Sequence, residues 1–148
     1  MADTGVHLEP GRLTLAQLHR LWRDPAAVEL DPGCWPQVDA AAETVQRLVR
    51  EGRTIYGVTT GFGQLAKTRI EPARVAELQR NLVLSHCCGV GDPLPPRAVR
   101  LLLALKVASL ARGHSGVRRP TLEALLTLLR AGALPVVPGK GSVGASGD

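Results

Sequence analysis

The chain has 148 residues, 45% of them hydrophobic but only 3% aromatic, so any core must be built from leucine, valine and alanine. The formal net charge of +5 is spread along the chain rather than gathered in a basic run, which argues against nucleic-acid binding. The most apolar stretch, residues 101–111, is too short to cross a bilayer and contains Lys106, so no membrane partner is predicted.

Five helices are predicted from hydrophobic periodicity and capping residues. The first begins at Thr14, where Gln17 completes a capping box, and the second covers about 36–51 and ends before Gly52. These two helices are separated by a turn-rich break.

The other three helices follow a glycine-rich stretch. One opens at Pro72, one covers about 97–112 and is largely buried, and the last runs from Pro120 to Gly132. The predicted apolar stripe of the last helix contains Leu122, Leu125, Leu126 and Leu129. Segment 55–65 is predicted to be a loop with short extended pieces, and 89–96 a break without regular structure. The fold class is therefore mainly α, with two glycine-rich loops.

The three cysteines form no recognisable framework. Cys87 and Cys88 are adjacent and Cys34 stands alone, which predicts neither a disulfide network nor a metal site. The N-terminus has neither the basic start nor the apolar run of a signal peptide. We therefore expect a reducing, cytoplasmic location, with Cys87 and Cys88 packed as small hydrophobic residues.

The last ten residues, GKGSVGASGD, are open to more than one interpretation. A flexible tail is one of them. A phosphate-binding loop is excluded because Lys140 precedes the glycine series instead of following it. A third interpretation is chemical: the amide nitrogen of Gly147 attacks the carbonyl carbon of Ala145 and closes a ring, which small residues permit. Loss of water, including the hydroxyl of Ser146, then leaves an exocyclic C=CH2, an electrophile made from backbone.

Four segments resemble the aromatic amino acid ammonia-lyases, in the same order as in that family: YGVTTGFG, NLVLSHCCGVGDPL, LKVASLARGHSGVR and PVVPGKGSVGASGD. The resemblance implies the N-terminal part of the aspartase/ammonia-lyase-like helical fold. It implies an N-terminal domain at 1–110, which carries a tyrosine loop, and the start of a central helical domain at 111–148.

The same resemblance implies a cofactor. In this family an Ala-Ser-Gly segment forms 4-methylidene-imidazol-5-one (MIO), so Ala145, Ser146 and Gly147 are expected to form it here. No metal and no external cofactor are expected.

The resemblance also implies a reaction and roles. Within the family, Ser85-His86 is similar to the members that act on histidine, which implies conversion of L-histidine to trans-urocanate and ammonia, the first step of histidine degradation. Tyr56 is expected to remove the β-proton of the substrate and Ser146 to supply the electrophile. His86 and Gly57 are expected to contact the substrate.

Further residues receive lesser roles. Gly61, Phe62 and Gly63 are expected to form a lid segment over the site, because glycines permit unusual backbone angles. His114 and Arg118 are expected to be structural.

Family members run to several hundred residues and form homotetramers, so the chain resembles an N-terminal piece that is inactive alone. Two alternatives stay open. One is a phenylalanine or tyrosine ammonia-lyase or an aminomutase of the same family, because Thr59 resembles the phenylalanine enzymes at that position. The other is a non-enzymatic helical interaction module with a glycine-rich tail.

Overall fold

The structure is a computed structural model, and it describes residues 5–24, 27–61 and 70–141. Helices dominate these ranges, as predicted. In chain order the elements are β1 (Val6–Leu8), α1 (Leu15–Arg23), β2 (Val28–Leu30), a 3-10 turn (Pro32–Cys34), α2 (Trp35–Arg50), a second 3-10 turn (Pro72–Arg74), α3 (Val75–His86), β3 (Gly89–Pro93), α4 (Pro96–Leu110), α5 (Arg119–Ala131) and β4 (Pro138–Gly141). Within the described ranges, no helix has the length and apolar run that a bilayer crossing needs.

The helix ends follow the capping residues that the sequence predicts. The side-chain oxygen of Thr14 accepts from the backbone N–H of Gln17 (3.3 Å), and the Gln17 side chain accepts from the backbone N–H of Thr14 (2.8 Å). This is the reciprocal capping box of α1. Gly132 ends α5 in the left-handed region, with φ 64°, where the absence of a side chain removes the steric cost.

The chain divides into two compact units. The first comprises Met1–Glu43 and Pro93–Val137, and the second comprises Thr44–Asp92 and Pro138–Asp148. The domain boundary after residue 110 that the resemblance implies stays a prediction.

The first unit contains the apolar core. Its helix α4 packs against α1 and α5, and strands β1 and β2 pair in parallel, with Val6 opposite Val28 and Leu8 opposite Leu30. These four strand residues are buried. The middle residue of each strand, His7 in β1 and Glu29 in β2, is exposed. The helices contribute a larger set of buried apolar residues: Leu21, Val38, Val99, Leu103, Ala104, Val107, Leu122, Leu126 and Leu129.

The second unit contains the C-terminal part of α2, the loop after it, α3, and a small sheet of β3 with β4. The prediction of a break without regular structure at 89–96 is wrong, because β3 occupies Gly89–Pro93. All five residues of β3 are exposed, so it shows none of the alternation by which a strand is found in sequence. The prediction that Cys87 and Cys88 pack as small hydrophobic residues is also wrong, because both side chains are exposed.

Candidate functional site

The loop that carries Tyr56 follows α2 and lies in the second unit. Tyr56 is 57% exposed, whereas Thr59 and Thr60, three and four residues later, are 6% and 0% exposed. The loop therefore buries two small polar side chains and presents its aromatic ring outward. Its neighbour Gly57 has φ 73°, a backbone conformation that favours glycine.

The two buried threonines hold the loop from inside. The hydroxyl of Thr59 accepts from the backbone N–H of Ile55 (2.8 Å) and donates to the carbonyl of Arg53 (3.0 Å). The hydroxyl of Thr60 accepts from the backbone N–H of Gly57 (3.2 Å) and donates to the carbonyl of Gly61 (3.0 Å). These bonds fix the residues on both sides of Tyr56, so side-chain hydroxyls brace the loop in addition to its own turn bonds, such as the one from the Thr59 N–H to the carbonyl of Ile55 (2.9 Å).

Helix α3 is attached to this loop. The Gln79 side chain donates from Nε2 to the carbonyl oxygen of Gly57 (3.0 Å). Gln79 and His86 are seven residues apart, which is close to two full turns, so they lie on one face of α3 about 10 Å apart along its axis. The loop with Tyr56 and the side chain of His86 thus lie along the same face of one helix.

The imidazole of His86 is oriented by its own helix. Its Nδ1 lies 2.9 Å from the carbonyl oxygen of Leu82 and 3.0 Å from the hydroxyl of Ser85. A carbonyl oxygen can only accept, so Nδ1 must carry the hydrogen and donate it. Ser85 in turn donates to the same carbonyl (3.0 Å). In the neutral ring Nε2 is then the acceptor.

An ion pair lies in the first turn of α3, at the end opposite to His86. Arg74 donates from Nε to Glu77 (3.0 Å), and this hydrogen bond holds the pKa of the Glu77 carboxyl below its ordinary value. Both side chains are exposed. The pair supports the start of the helix.

The C-terminal glycine-rich segment is described as far as Gly141. This residue ends β4, and a Cβ placed on it would lie 3.4 Å from the carbonyl oxygen of Cys88. Cys88 is two residues beyond His86, so at Gly141, three residues before the segment GASGD begins, the chain is within a short distance of the C-terminal end of α3. Five more residues, which reach Ser146, span at most about 18 Å.

The predicted site residues fall into two groups. Tyr56, Gly57, Gly61 and His86 lie in the described part of the second unit, and Gly61 is buried. Phe62 and Gly63 of the predicted lid lie outside the described residues, as do Ala145, Ser146 and Gly147. The roles of the residues in both groups stay predictions. Among the described residues, no cluster of three or more His, Cys, Asp or Glu side chains is arranged to hold a metal ion.

Sequence reasoning missed the residues that position this region. Thr59 was weighed only as a substrate marker, and neither Thr60 nor Gln79 was assigned a role. A signal for the threonines was present, because adjacent hydroxyl residues in a glycine-rich loop often satisfy its backbone. No local signal identifies Gln79, since its partner is 22 residues away in the sequence.

The chain is similar to known proteins in both its sequence and its fold. The family model described as aromatic amino acid lyase matches residues 13–148. Histidine ammonia-lyase of Aromatoleum aromaticum is 56% identical over 145 residues, and that of Burkholderia cenocepacia is 52% identical over 143 residues. These matches cover 98% and 97% of this chain, and 28% of each relative. The chain therefore spans little more than a quarter of the length of these relatives.

Solved structures agree on the fold. The tyrosine aminomutase of Streptomyces globisporus superposes with a TM-score of 0.88 at 32% identity, over 94% of this chain and 26% of that one. Histidine ammonia-lyase of Trypanosoma cruzi gives a TM-score of 0.79 at 35% identity, over 95% of this chain and 27% of that one. The predicted helical fold and the family resemblance are both confirmed.

Proposed function

The chain belongs to the aromatic amino acid lyase family, and from that premise we propose that it is the N-terminal part of an enzyme that converts L-histidine to trans-urocanate and ammonia. The observation that carries the proposal is the arrangement along α3. Gln79 binds the loop of Tyr56, and His86 lies on the same helix face about 10 Å away. This arrangement supports the proposal that Tyr56 acts as the general base and His86 as the group that binds the substrate imidazole.

The choice of histidine as substrate is supported by the hydrogen bonding of His86. Because Nδ1 donates to Leu82, Nε2 accepts, and the N–H of a substrate imidazole is a matching donor. A phenyl ring offers no such hydrogen, and a phenol would present its hydroxyl at a different distance from the reacting carbon. The identity of 52–56% to two histidine ammonia-lyases supports the same choice.

Tyr56 is proposed to remove the β-proton of the substrate. Its ring is exposed on a loop that the two threonine hydroxyls brace, so its position is set before substrate arrives. Gly57 is proposed to contact the substrate through its backbone, since no side chain stands between the two. Gly61, Phe62 and Gly63 are proposed to close over the site as a lid.

Ala145, Ser146 and Gly147 are proposed to form MIO, an electrophile that makes ammonia a better leaving group. The closeness of Gly141 to Cys88 supports this, since it starts the segment near His86. The residue types fit: a small residue on either side of Ser146 permits the tight backbone turn that ring closure needs. The ring requires no metal and no external cofactor.

The test uses the full-length polypeptide that contains this chain. Incubated with L-histidine, it is expected to release urocanate, and its intact mass is expected to be lower than the sequence mass by two waters. Ser146→Ala is expected to keep the full sequence mass and to lose turnover by a factor on the order of 10³ or more. An unmodified mass together with normal turnover would overturn the proposal.

A second candidate is another reaction of the same family. The similarity to a tyrosine aminomutase favours it. Offered phenylalanine or tyrosine, such an enzyme would yield cinnamate, coumarate or a β-amino acid, and it would leave histidine intact. A non-enzymatic interaction module would show neither product nor the mass loss.

The remaining properties are proposed for the full-length protein: a homotetramer, located in the cytoplasm, with L-histidine as its small-molecule partner and no nucleic acid or membrane bound. The 148-residue chain alone is proposed to be inactive. Light scattering of the full-length protein tests the tetramer, and a urocanate assay of the isolated chain tests its inactivity.

A further inference from the structure

We propose that Cys87 and Cys88 form a vicinal dithiol site, which binds one soft, thiophilic centre through both sulfur atoms and, when occupied, closes the approach to His86. The site is distinct from the residues assigned to the reaction. The part that concerns His86 rests on the proposed function, whereas the binding itself does not.

The backbone holds the two cysteines at a fixed turn. Cys87 is the C-cap of α3 and its N–H donates to the carbonyl of Val83 (3.0 Å), while the N–H of Cys88 donates to the carbonyl of His86 (2.8 Å). With φ −79° and ψ 55° at Cys87, this is an inverse γ-turn. The two Cα atoms are about 3.8 Å apart across the peptide bond, so both side chains can reach a single atom.

Both thiols are exposed on the 148-residue chain, so its own described residues leave the two sulfur atoms open to an incoming ligand. Cys87 donates its S–H to the carbonyl of Leu84 (3.2 Å), a weak bond that a stronger sulfur ligand replaces at little cost. Soft centres such as trivalent arsenic or monovalent copper prefer thiolate over nitrogen and oxygen ligands. Two thiols on adjacent residues therefore give chelation, where a single thiol gives only one bond.

Cys34 provides a comparison within the same chain. Its side chain is buried, and burial, together with the nearby negative charge of Asp31, raises the pKa of its thiol. Since the thiolate is the reactive form, Cys34 is expected to be inert at neutral pH. A thiol reagent should distinguish the exposed pair from this buried cysteine.

Occupation of the pair would affect the substrate site through His86. The carbonyl of His86 accepts the N–H of Cys88, so the turn that holds the dithiol begins at His86 itself. A group bound to both sulfurs adds bulk at the C-terminal end of α3, within two residues of His86 in the chain. Substrate binding and dithiol occupation are therefore expected to exclude each other.

The probe is phenylarsine oxide, added in equimolar amount to the reduced full-length protein. Two S–H bonds and the As=O bond are replaced by two As–S bonds, and one water is released; arsenic stays trivalent and nothing is oxidised. The expected intact mass is that of the protein plus one reagent minus one water. The adduct should resist excess monothiol and be removed by a dithiol such as dimercaptopropanol.

Three variants locate the adduct. The Cys34→Ala variant is expected to form the same adduct as the wild type. In Cys87→Ala and in Cys88→Ala, any adduct is expected to be removed by excess monothiol. These exposed positions tolerate alanine, so loss of the adduct reports chemistry and not misfolding. A wild-type protein that forms no such adduct, or an adduct mapped to Cys34, would overturn the site.

The second arm measures urocanate formation with and without the reagent. Turnover of the wild type is expected to fall in proportion to the fraction of protein that carries the adduct, and to return when dimercaptopropanol is added. The Cys87→Ala and Cys88→Ala variants are expected to keep their turnover in the presence of the reagent once monothiol is added. A complete adduct with unchanged turnover would overturn the coupling to His86. If the untreated protein forms no urocanate, the proposed function fails, and the mass arm still decides whether the dithiol binds.

Discussion

The two compact units of this chain are stabilised by different kinds of contact. The first unit buries an apolar cluster that extends from β1 to α5. In the second, the buried residues among those whose exposure is described are Thr59, Thr60 and Gly61, all in the tyrosine loop.

The two kinds of contact suit two different tasks, a stable scaffold in the first unit and a precisely positioned loop in the second. Apolar packing is non-directional and tolerates small shifts, so it suits a scaffold. Hydrogen bonds fix distances and angles, so they suit a loop that must present one ring at one position. A polar interior of this kind is also expected to open locally more easily than an apolar one. The following experiments test whether the two units differ in this way.

The largest expected effect is on activity and concerns Tyr56. In Tyr56→Phe the exposed ring stays and the hydroxyl is lost. Turnover of L-histidine by the full-length protein is expected to fall by about 10² to 10⁴-fold, the usual contribution of a general base. Urea unfolding is expected to change little. Turnover within about tenfold of wild type would remove Tyr56 from the catalytic role.

The largest expected effect on stability lies in the first unit. Leu122 is fully buried, so Leu122→Ala should lower the free energy of unfolding by about 2–5 kcal/mol through lost transfer energy and a cavity. The matched control is Thr127→Ala on the same helix, an exposed residue whose hydroxyl donates to the carbonyl of Glu123 one turn earlier. Equal losses in the two variants, measured by urea unfolding, would contradict the assignment of the core.

Sequence reasoning predicted the first unit better than the second. The stripe on α5 is periodic over three turns and includes Leu122, Leu126 and Leu129, all buried. The capping box of α1 is likewise local, because its two partners, Thr14 and Gln17, are three residues apart. Strands β1 and β2 were missed because each has three residues, too few to show a period.

The candidate site was predicted only in part, for a physical reason. Tyr56 and His86 were found through resemblance, but their relation depends on Gln79, which bonds across a distance in sequence that no local pattern records. The exposure of Cys87 and Cys88 was mispredicted for a similar reason. The apolar character of cysteine suggests packing, whereas the position after the last turn of α3 decides exposure.

A smaller effect is expected from Thr60, which tests the polar interior of the loop directly. Thr60→Val keeps the shape and removes the hydroxyl, so the Gly57 N–H loses its acceptor at a cost of about 1–3 kcal/mol. Hydrogen exchange at the Gly57 amide of the full-length protein is expected to accelerate by about 5- to 150-fold. Thr60→Ser, which retains the hydroxyl, should exchange as the wild type does. Equal protection in Thr60→Val and Thr60→Ser would show that packing, not hydrogen bonding, holds the loop.

The smallest effect is expected at a surface ion pair of the first unit. Arg119 donates from Nε to Asp39 (3.2 Å) and also lies 4.7 Å from the ring centroid of Trp35. Its hydrogen bonds hold the pKa of the Asp39 carboxyl below the ordinary value, so the pair stabilises the folded state above the unfolded pKa of about 3.9. This contribution is lost as the pH falls through the depressed folded value.

Asp39→Asn should therefore lower the midpoint of urea unfolding slightly at pH 7, and the difference from wild type should shrink as the pH is lowered below about 4. The pair is exposed, so added salt should shrink the difference at pH 7 as well. A difference that stayed constant from pH 7 to pH 3 would assign the effect to packing of Arg119 on Trp35. In that case the cation–π contact of Arg119 with Trp35, and not the charge pair, would stabilise this part of the surface.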